Sequence, residues 1–378
     1  MADKLLTRRA LSRATLARQM LLAREKTPVL RAIERLVGLQ AQLARPPYIG
    51  LWSRVEGFQR EALTQLVLSR KAVRATAMRG TLHLMSAKDF VALRPALQPM
   101  LTKAMHANVG ERIQGLELEQ MLATARTYLE QEPRTFNALR PLLVKAHPKG
   151  DERAMGFAVR TQLPLVQVPT DTKWGYPGTA DFTVAETWLG EPMGTDATPH
   201  ALVLRFLAAF GPASVGDAQT WSGLGGLREV FEALRPGLST FRDERGRELF
   251  DLPKAPRPDE DTAAPVRFLP DYDNLLLAHE DRTRVIADEH RRALTPSKNL
   301  RVLPSFLVDG FVAGTWEVER KKGVAALVLQ PFSALSKQVR EALAEEGDTL
   351  VRFVESDAST FEVRLPARAA RPRAPATR

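Results

Sequence analysis

Gly38-Leu39-Gln40-Ala41-Gln42 sets two carboxamides two residues apart, where an apolar-periodic segment runs out. Each glutamine offers an acceptor oxygen and two donor hydrogens, so the chemistry within reach is neutral hydrogen bonding. Positions two apart do not share a helix face. Both amides converge on one site only if the backbone there is frayed or extended; otherwise the pair is a solvated helix end. Arg45-Pro46-Pro47-Tyr48 follows directly, and its prolines would stiffen the exit and could hold such a geometry.

Other residues offer weaker signals. Trp52 reads as core, while Tyr48 and Arg54 could line a site around the glutamines. Arg79 and His83 flank a turn and a return strand. The segment 170–179 interleaves Lys173 with Trp174 and Tyr176 at a hairpin tip, which could enter a groove or latch onto the next domain. Asp271-Tyr272-Asp273-Asn274 lacks partner ligands for a metal and reads as loop hydrogen bonding and helix capping. Glu319-Arg320-Lys321-Lys322 reads as a solvated hairpin end. The familiar catalytic patterns are missing: no Walker A, GxGxxG, HExxH, GxSxG or HxE with PCxxC occurs. With no cysteine and only six histidines, none paired at ligand spacing, no metal and no cofactor is expected.

The elements that must position these residues follow a recurring order of helices and then a hairpin. Leu6–Ala23 carries a leucine stripe, and Thr27-Pro28 starts a second helix expected to run to about Gln40. After a loop at 45–48, Arg60–Ser69 reads as a third helix. Ala72–Met78 and Thr81–Met85 alternate as strands around Arg79-Gly80. The same order recurs over 116–184 and again over 200–251. We therefore expect an α+β chain of tandem winged-helix units: 1–110 with the glutamine motif, 111–195, and 196–255. A β-rich region, 256–365, follows a proline- and acid-rich linker at 253–265, and 366–378 reads as a disordered basic tail. Asp309-Gly310 marks a hairpin.

The net charge of +10 is unevenly spread. Residues 1–110 hold 19 Lys and Arg against 6 Asp and Glu, whereas 111–365 hold 31 against 38. A basic portion beside a mildly acidic remainder is the footprint of a polyanion binder. No apolar run nears 18 residues and the N-terminus lacks a signal-peptide core, so a cytoplasmic, nucleoid-associated protein is expected, with no membrane partner.

Several segments together resemble one known family: LTRRALSRATLARQMLL, GLQAQ, PPYIGLWSR, RGTLHLM, GPASVGDAQTWSGL, FLPDYDNLLL and LVDGFVAGTW. This text resembles the bacterial winged-helix DNA glycosylases that include the AlkZ and AlkX types, over about residues 6–330. AlkZ-type members carry Gln at both motif positions and AlkX-type members Asp at the second, so Gln40 and Gln42 resemble the AlkZ type. The resemblance implies three tandem winged helices forming a C-shaped clamp on duplex DNA, acting as a monomer. It implies excision of N7-alkylated purines, including bulky adducts and interstrand crosslinks, with Gln40 and Gln42 catalytic. A purine alkylated at N7 is already cationic and leaves neutral without an acid, so the amides need only position water and stabilise the sugar cation. Arg45, Tyr48, Arg54, Arg79, His83, Lys173 and Trp174 are the expected DNA contacts. The alternatives are a non-catalytic winged-helix regulator on a two-fold operator, and a relative that sequesters a small genotoxin in an apolar cleft.

Overall fold

The computed structural model describes residues 4–296 and 301–365 as a mixed α and β chain. The tail at 366–378 lies outside the described residues. Strand β1 (Lys4–Leu6) leads to helices α1 (Arg8–Arg18) and α2 (Val29–Arg35), strand β2 (Leu39–Gln40), and helices α3 (Pro46–Trp52) and α4 (Arg60–Leu68). The hairpin β3 (Ala72–Thr76) and β4 (Leu82–Ser86) follows, then the long helix α5 (Ala87–Val109). Pro46 and Pro47 open α3 rather than extending a loop, because a ring that fixes φ and lacks an N–H suits a first helical turn.

Helices α6 (Leu118–Gln131), α7 (Phe136–Ala146) and α8 (Glu152–Gln162) precede β5 (Leu165–Gln167), β6 (Phe182–Val184) and α9 (Ala185–Leu189). Met121, Leu129, Leu139 and Val159 from these helices close a core with Phe136 and Phe182, whose rings sit 4.8 Å apart. Next come α10 (His200–Phe210), α11 (Val215–Ser222), α12 (Arg228–Leu234) and the hairpin β7 (Ser239–Asp243) and β8 (Glu248–Asp251). Phe206, Phe210 and Trp221 pack here against Leu97 and Leu101 of α5. The remainder holds β9 (Arg267–Leu269), α13 (Asp288–Leu294), β10 (Ser305–Val308), β11 (Phe311–Lys321), β12 (Val324–Pro331), α14 (Lys337–Val354) and β13 (Thr360–Arg364). Asp309 and Gly310 both take positive φ in the tight β10–β11 turn, as their types suggested.

Strand pairing ties these segments together across long sequence distances. β2-β4-β3-β5-β6 is one five-stranded sheet, joined where Ala75 pairs with Val166. β1 runs parallel to β7, so the N-terminal strand belongs to the sheet of residues 239–251. The C-terminal sheet, β13-β12-β11-β10-β9, packs on α14 and takes Ile49 of α3 into its core.

The segment that places the glutamines departs from the expected helix. α2 stops at Arg35, and Val37 (φ 54°) and Gly38 (φ 87°) both turn left-handed. The Val37 amide donates to Glu34 O and that of Gly38 to Ile33 O, which closes the helix end and reverses the chain. A side chain at 38 would sit 2.8 Å from Met85 Cγ and 2.9 Å from Leu84 O, so the position needs glycine both for its φ and for close packing on β4. The next residues are extended: Leu39 pairs with Leu84, and Gln40 with His83.

Candidate active site

Gln40 is buried on β2, beside the β3–β4 turn. In that turn Arg79 adopts a left-handed conformation (φ 56°), uncommon for a residue with a side chain. Its Nη2 donates to Gln40 Oε1 at 2.7 Å, and its Nη1 donates to the carbonyl of Trp221. A guanidinium only donates, so the amide atom facing it must be the oxygen, and the orientation of Gln40 is fixed. Among the described residues nothing accepts from Gln40 Nε2.

His83 supports this arrangement from below. It is fully buried, with Nδ1 3.1 Å from the Thr81 carbonyl and Nε2 3.5 Å from Arg79 Nη2. The carbonyl requires a proton on Nδ1, which leaves a lone pair on Nε2 facing the guanidinium. Burial, then the neighbouring Arg79, lower the His83 pKa to about 3, so the ring is neutral throughout the physiological range. Burial and then repulsion from Arg282 also lower Arg79 to about 10. Arg79, backed by His83, thus holds the Gln40 amide in one orientation.

Gln42 is exposed. Its Oε1 accepts from the Leu82 backbone N–H at 2.9 Å, so its carbonyl too is tied to the β3–β4 turn. Each carbonyl has a second lone pair and each Nε2 is a donor. The backbone between them is held by Arg74, which donates to Ala41 O (2.7 Å) and Gln42 O (3.1 Å) and lies 5.3 Å from the Tyr176 ring centre. Burial lowers Arg74 to about 10. Sequence reasoning passed over Arg74, although a lone charge within Ala72-Val73-Arg74-Ala75 was a signal of an internal carbonyl partner.

The two glutamines line different hollows. Gln42 borders an open groove of about 360 Å³, whose other polar walls include Thr76, Asn137, Arg140, Arg160 and Gln167. Gln40 borders a small cleft of about 10 Å³, room for about one water, with Gln19, Arg54, Asp271, Asp273 and Asn274. Asp273 is satisfied there: it pairs with both Arg54 Nη1 (2.9 Å) and Nη2 (2.8 Å) and caps the turn at Leu275. By contrast, Gln19 Oε1, Asn274 Oδ1 and Asp271 Oδ2 are buried and accept no hydrogen bond from any described residue. Tyr272 between them takes φ 58°.

The remaining expected contacts face inward to different degrees. Tyr48 is buried and bonds Thr64 at 3.1 Å, and Arg54 is enclosed in its pair with Asp273. Trp174 packs edge-on to Tyr48 (5.3 Å) and under Arg60 (4.6 Å), so the 170–179 tip latches onto its neighbours. Lys173 lies 3.5 Å from Glu355 and 3.6 Å from Asp357. Arg45 is partly exposed, with Nη2 3.7 Å from Asp271. Of the nine expected residues, Gln42 and Lys173 are exposed, and Arg45 is only partly so. Among the described residues, no group of three or more Asp, Glu, His or Cys could hold a metal ion, and no helix is long and apolar enough to cross a membrane.

Residues 33–353 match the family model described as DNA glycosylase AlkZ-like. The chain belongs to the AlkZ-like DNA glycosylase family. It is 26% identical to the interstrand DNA cross-link repair glycosylase of Streptomyces sahachiroi over 385 aligned residues, 92% of this chain and 96% of that protein. The solved structure of Streptomyces sahachiroi DNA glycosylase AlkZ superposes with a TM-score of 0.76 at 21% identity, covering 95% of this chain and 99% of the other. The AlkZ-like fold therefore extends over nearly the whole chain, including the 270–274 loop that walls the Gln40 cleft.

Proposed function

We propose that this chain is a monofunctional, cofactor-free glycosylase that hydrolyses the N-glycosidic bond of cationic N7-alkylated purines in duplex DNA. Bulky adducts and interstrand crosslinks fall within this reading, as the name of its Streptomyces relative suggests. The observation that carries it is the anchoring of both motif carbonyls to residues 79–82, with the Gln42 amide open to a groove. A cationic purine leaves as a neutral base, so the enzyme needs no proton donor. That agrees with a site whose histidine is held neutral and whose other groups are amides.

The two amides divide the work. Gln42 meets the sugar and the attacking water directly. Gln40, with its carbonyl drawn toward Arg79, is less able to stabilise a cation and instead holds water through Nε2. The unpaired acceptors of Asp271, Asn274 and Gln19 and the unpartnered Nε of Arg54 fit an ordered water in the cleft behind it. The three helix-plus-hairpin units would form the winged-helix clamp around the duplex, the protein working as a monomer at the nucleoid.

The test is release of 7-methylguanine from duplex DNA by the wild type and by Gln40→Ala/Gln42→Ala, with DNA binding measured in parallel. Release by the wild type, lost in a variant that still binds, supports the assignment. Absence of release from 7-methylguanine, bulkier N7 adducts and crosslinks alike would restore the reading of a non-catalytic DNA-binding protein.

A further inference from the structure

The groove beside Gln42 has a wall made by the second unit. Arg140 on α7 and Arg160 on α8 both line it, and neither has a carboxylate within ion-pair distance among the described residues. This sets them apart from much of the basic N-terminal segment, where Arg9, Arg13, Arg18, Arg24, Arg35 and Arg54 are all paired to acids. Two guanidiniums near one another repel, and that repulsion is visible as a lowering of the Arg160 pKa, after burial, by Arg140.

The pair is also built rather than incidental. The Arg160 guanidinium lies 4.6 Å from the centre of the Phe136 ring and 6.0 Å from that of Phe182, an aromatic bed that sets its plane. Arg140 lies along α8 where Gly156 leaves room: a Cβ there would come within 3.0 Å of Arg140 Nε and 3.4 Å of its Cγ. That Nε is buried and without a partner, as is Oε1 of Gln167, which lines the same groove. A planar donor fork without an anion, beside a second one, matches the oxygens of a phosphate group.

We propose that Arg140 and Arg160 form a phosphodiester-binding site that grips the backbone of the DNA strand presented to Gln42. The inference rests on duplex DNA being the substrate. The like charges hold no acidic partner, so their mutual repulsion in the free protein is relieved when an anion enters. One phosphate held between them would fix the register of the strand along the groove.

The experiment measures binding to undamaged duplex DNA across a salt series, for the wild type, Arg140→Gln/Arg160→Gln and Gly156→Ala. This readout needs no excision, so failure of the glycosylase reading would leave it intact. The double variant should bind about 10-fold more weakly at low salt, and its slope of log K against log salt should shrink by about 1. Gly156→Ala, which displaces Arg140 while keeping both charges, should weaken binding less. Unfolding midpoints should hold or rise in Arg140→Gln, because a repulsion is removed; a fall would indicate a structural role and overturn the proposal. An unchanged affinity and salt slope would also overturn it. So would loss of inorganic phosphate binding, read from arginine side-chain NMR shifts, with duplex binding intact, since the site would then serve free phosphate.

Discussion

The hollows on the Gln40 side and the Gln42 side of one short segment are built oppositely. Behind Gln40 the cleft is small, walled by the Asp271–Asn274 loop, and holds three unpaired acceptors beside the unpartnered Arg54 Nε. Before Gln42 the groove is open and carries two unpaired guanidiniums. The first environment suits water and the second suits a polyanion. An Ala41 linker held by Arg74 lets one peptide segment face both, so the two glutamines meet different surroundings.

The sharpest way to break this comparison is to remove each amide alone. Gln42→Ala should slow 7-methylguanine release by about 100-fold or more in single-turnover assays, the scale of losing one positioned hydrogen-bonding group. Gln40→Ala should cost less, about 10-fold, because Gln40 acts through water. A larger loss for Gln40 would invert the assignment of roles. Arg79→Met should fall between wild type and Gln40→Ala in rate with its KM for duplex unchanged, since it frees the Gln40 amide without touching the groove.

Arg74→Met tests the segment itself. Leaving the Ala41 and Gln42 carbonyls without their donor should cost about 1–3 kcal/mol in denaturant unfolding. A variant as stable as wild type would show that the carbonyls find other partners. The smallest effect is pH dependence. His83 and His279 are buried and lowered to about 3 from 6.5, chiefly by burial. The unfolded chain therefore takes up protons on both as pH falls through 6.5, while the folded chain does not until about 3. Their contribution to stability is full above pH 6.5 and drains between 6.5 and 3, so the unfolding midpoint should drop on acidification through this window. Excision should meanwhile stay flat from pH 6.5 to 9. A bell-shaped rate profile there would point to a titrating catalyst and against the amides.

Much of the fold was legible because it is local. The alternation in 72–78 and 81–85, and the Asp309-Gly310 turn, specify hairpins through neighbours alone. The end of α2 was not, because Val37 is a branched residue held left-handed by packing, which sequence propensity argues against. The motif's residue types were readable while their geometry was not, since extension at Gln40 depends on β4 some 40 positions later. The same limit governed the charges. Arg54 reads as a free cation beside the motif until Asp273, 219 residues away, is folded against it. Arg140 and Arg160 gave no signal, because what distinguishes them is the acid each lacks.

The parallel pairing of β1 with β7 has a consequence for synthesis. Lys4–Leu6 leaves the ribosome long before its partner strand, which begins at Ser239, and the acid that holds Arg9 and Arg13 is residue 309. Asn274 then donates to Gly38 O at 2.9 Å, at the turn that aims the glutamines. Lys4–Leu6 can therefore dock only once the chain has been made through residue 243. A chain stopped short of residue 274 would carry the glutamine motif without the wall behind it. The geometry around the two glutamines is in this sense a property of residues 4–274 folded together, and a product stopped short of residue 274 would lack it.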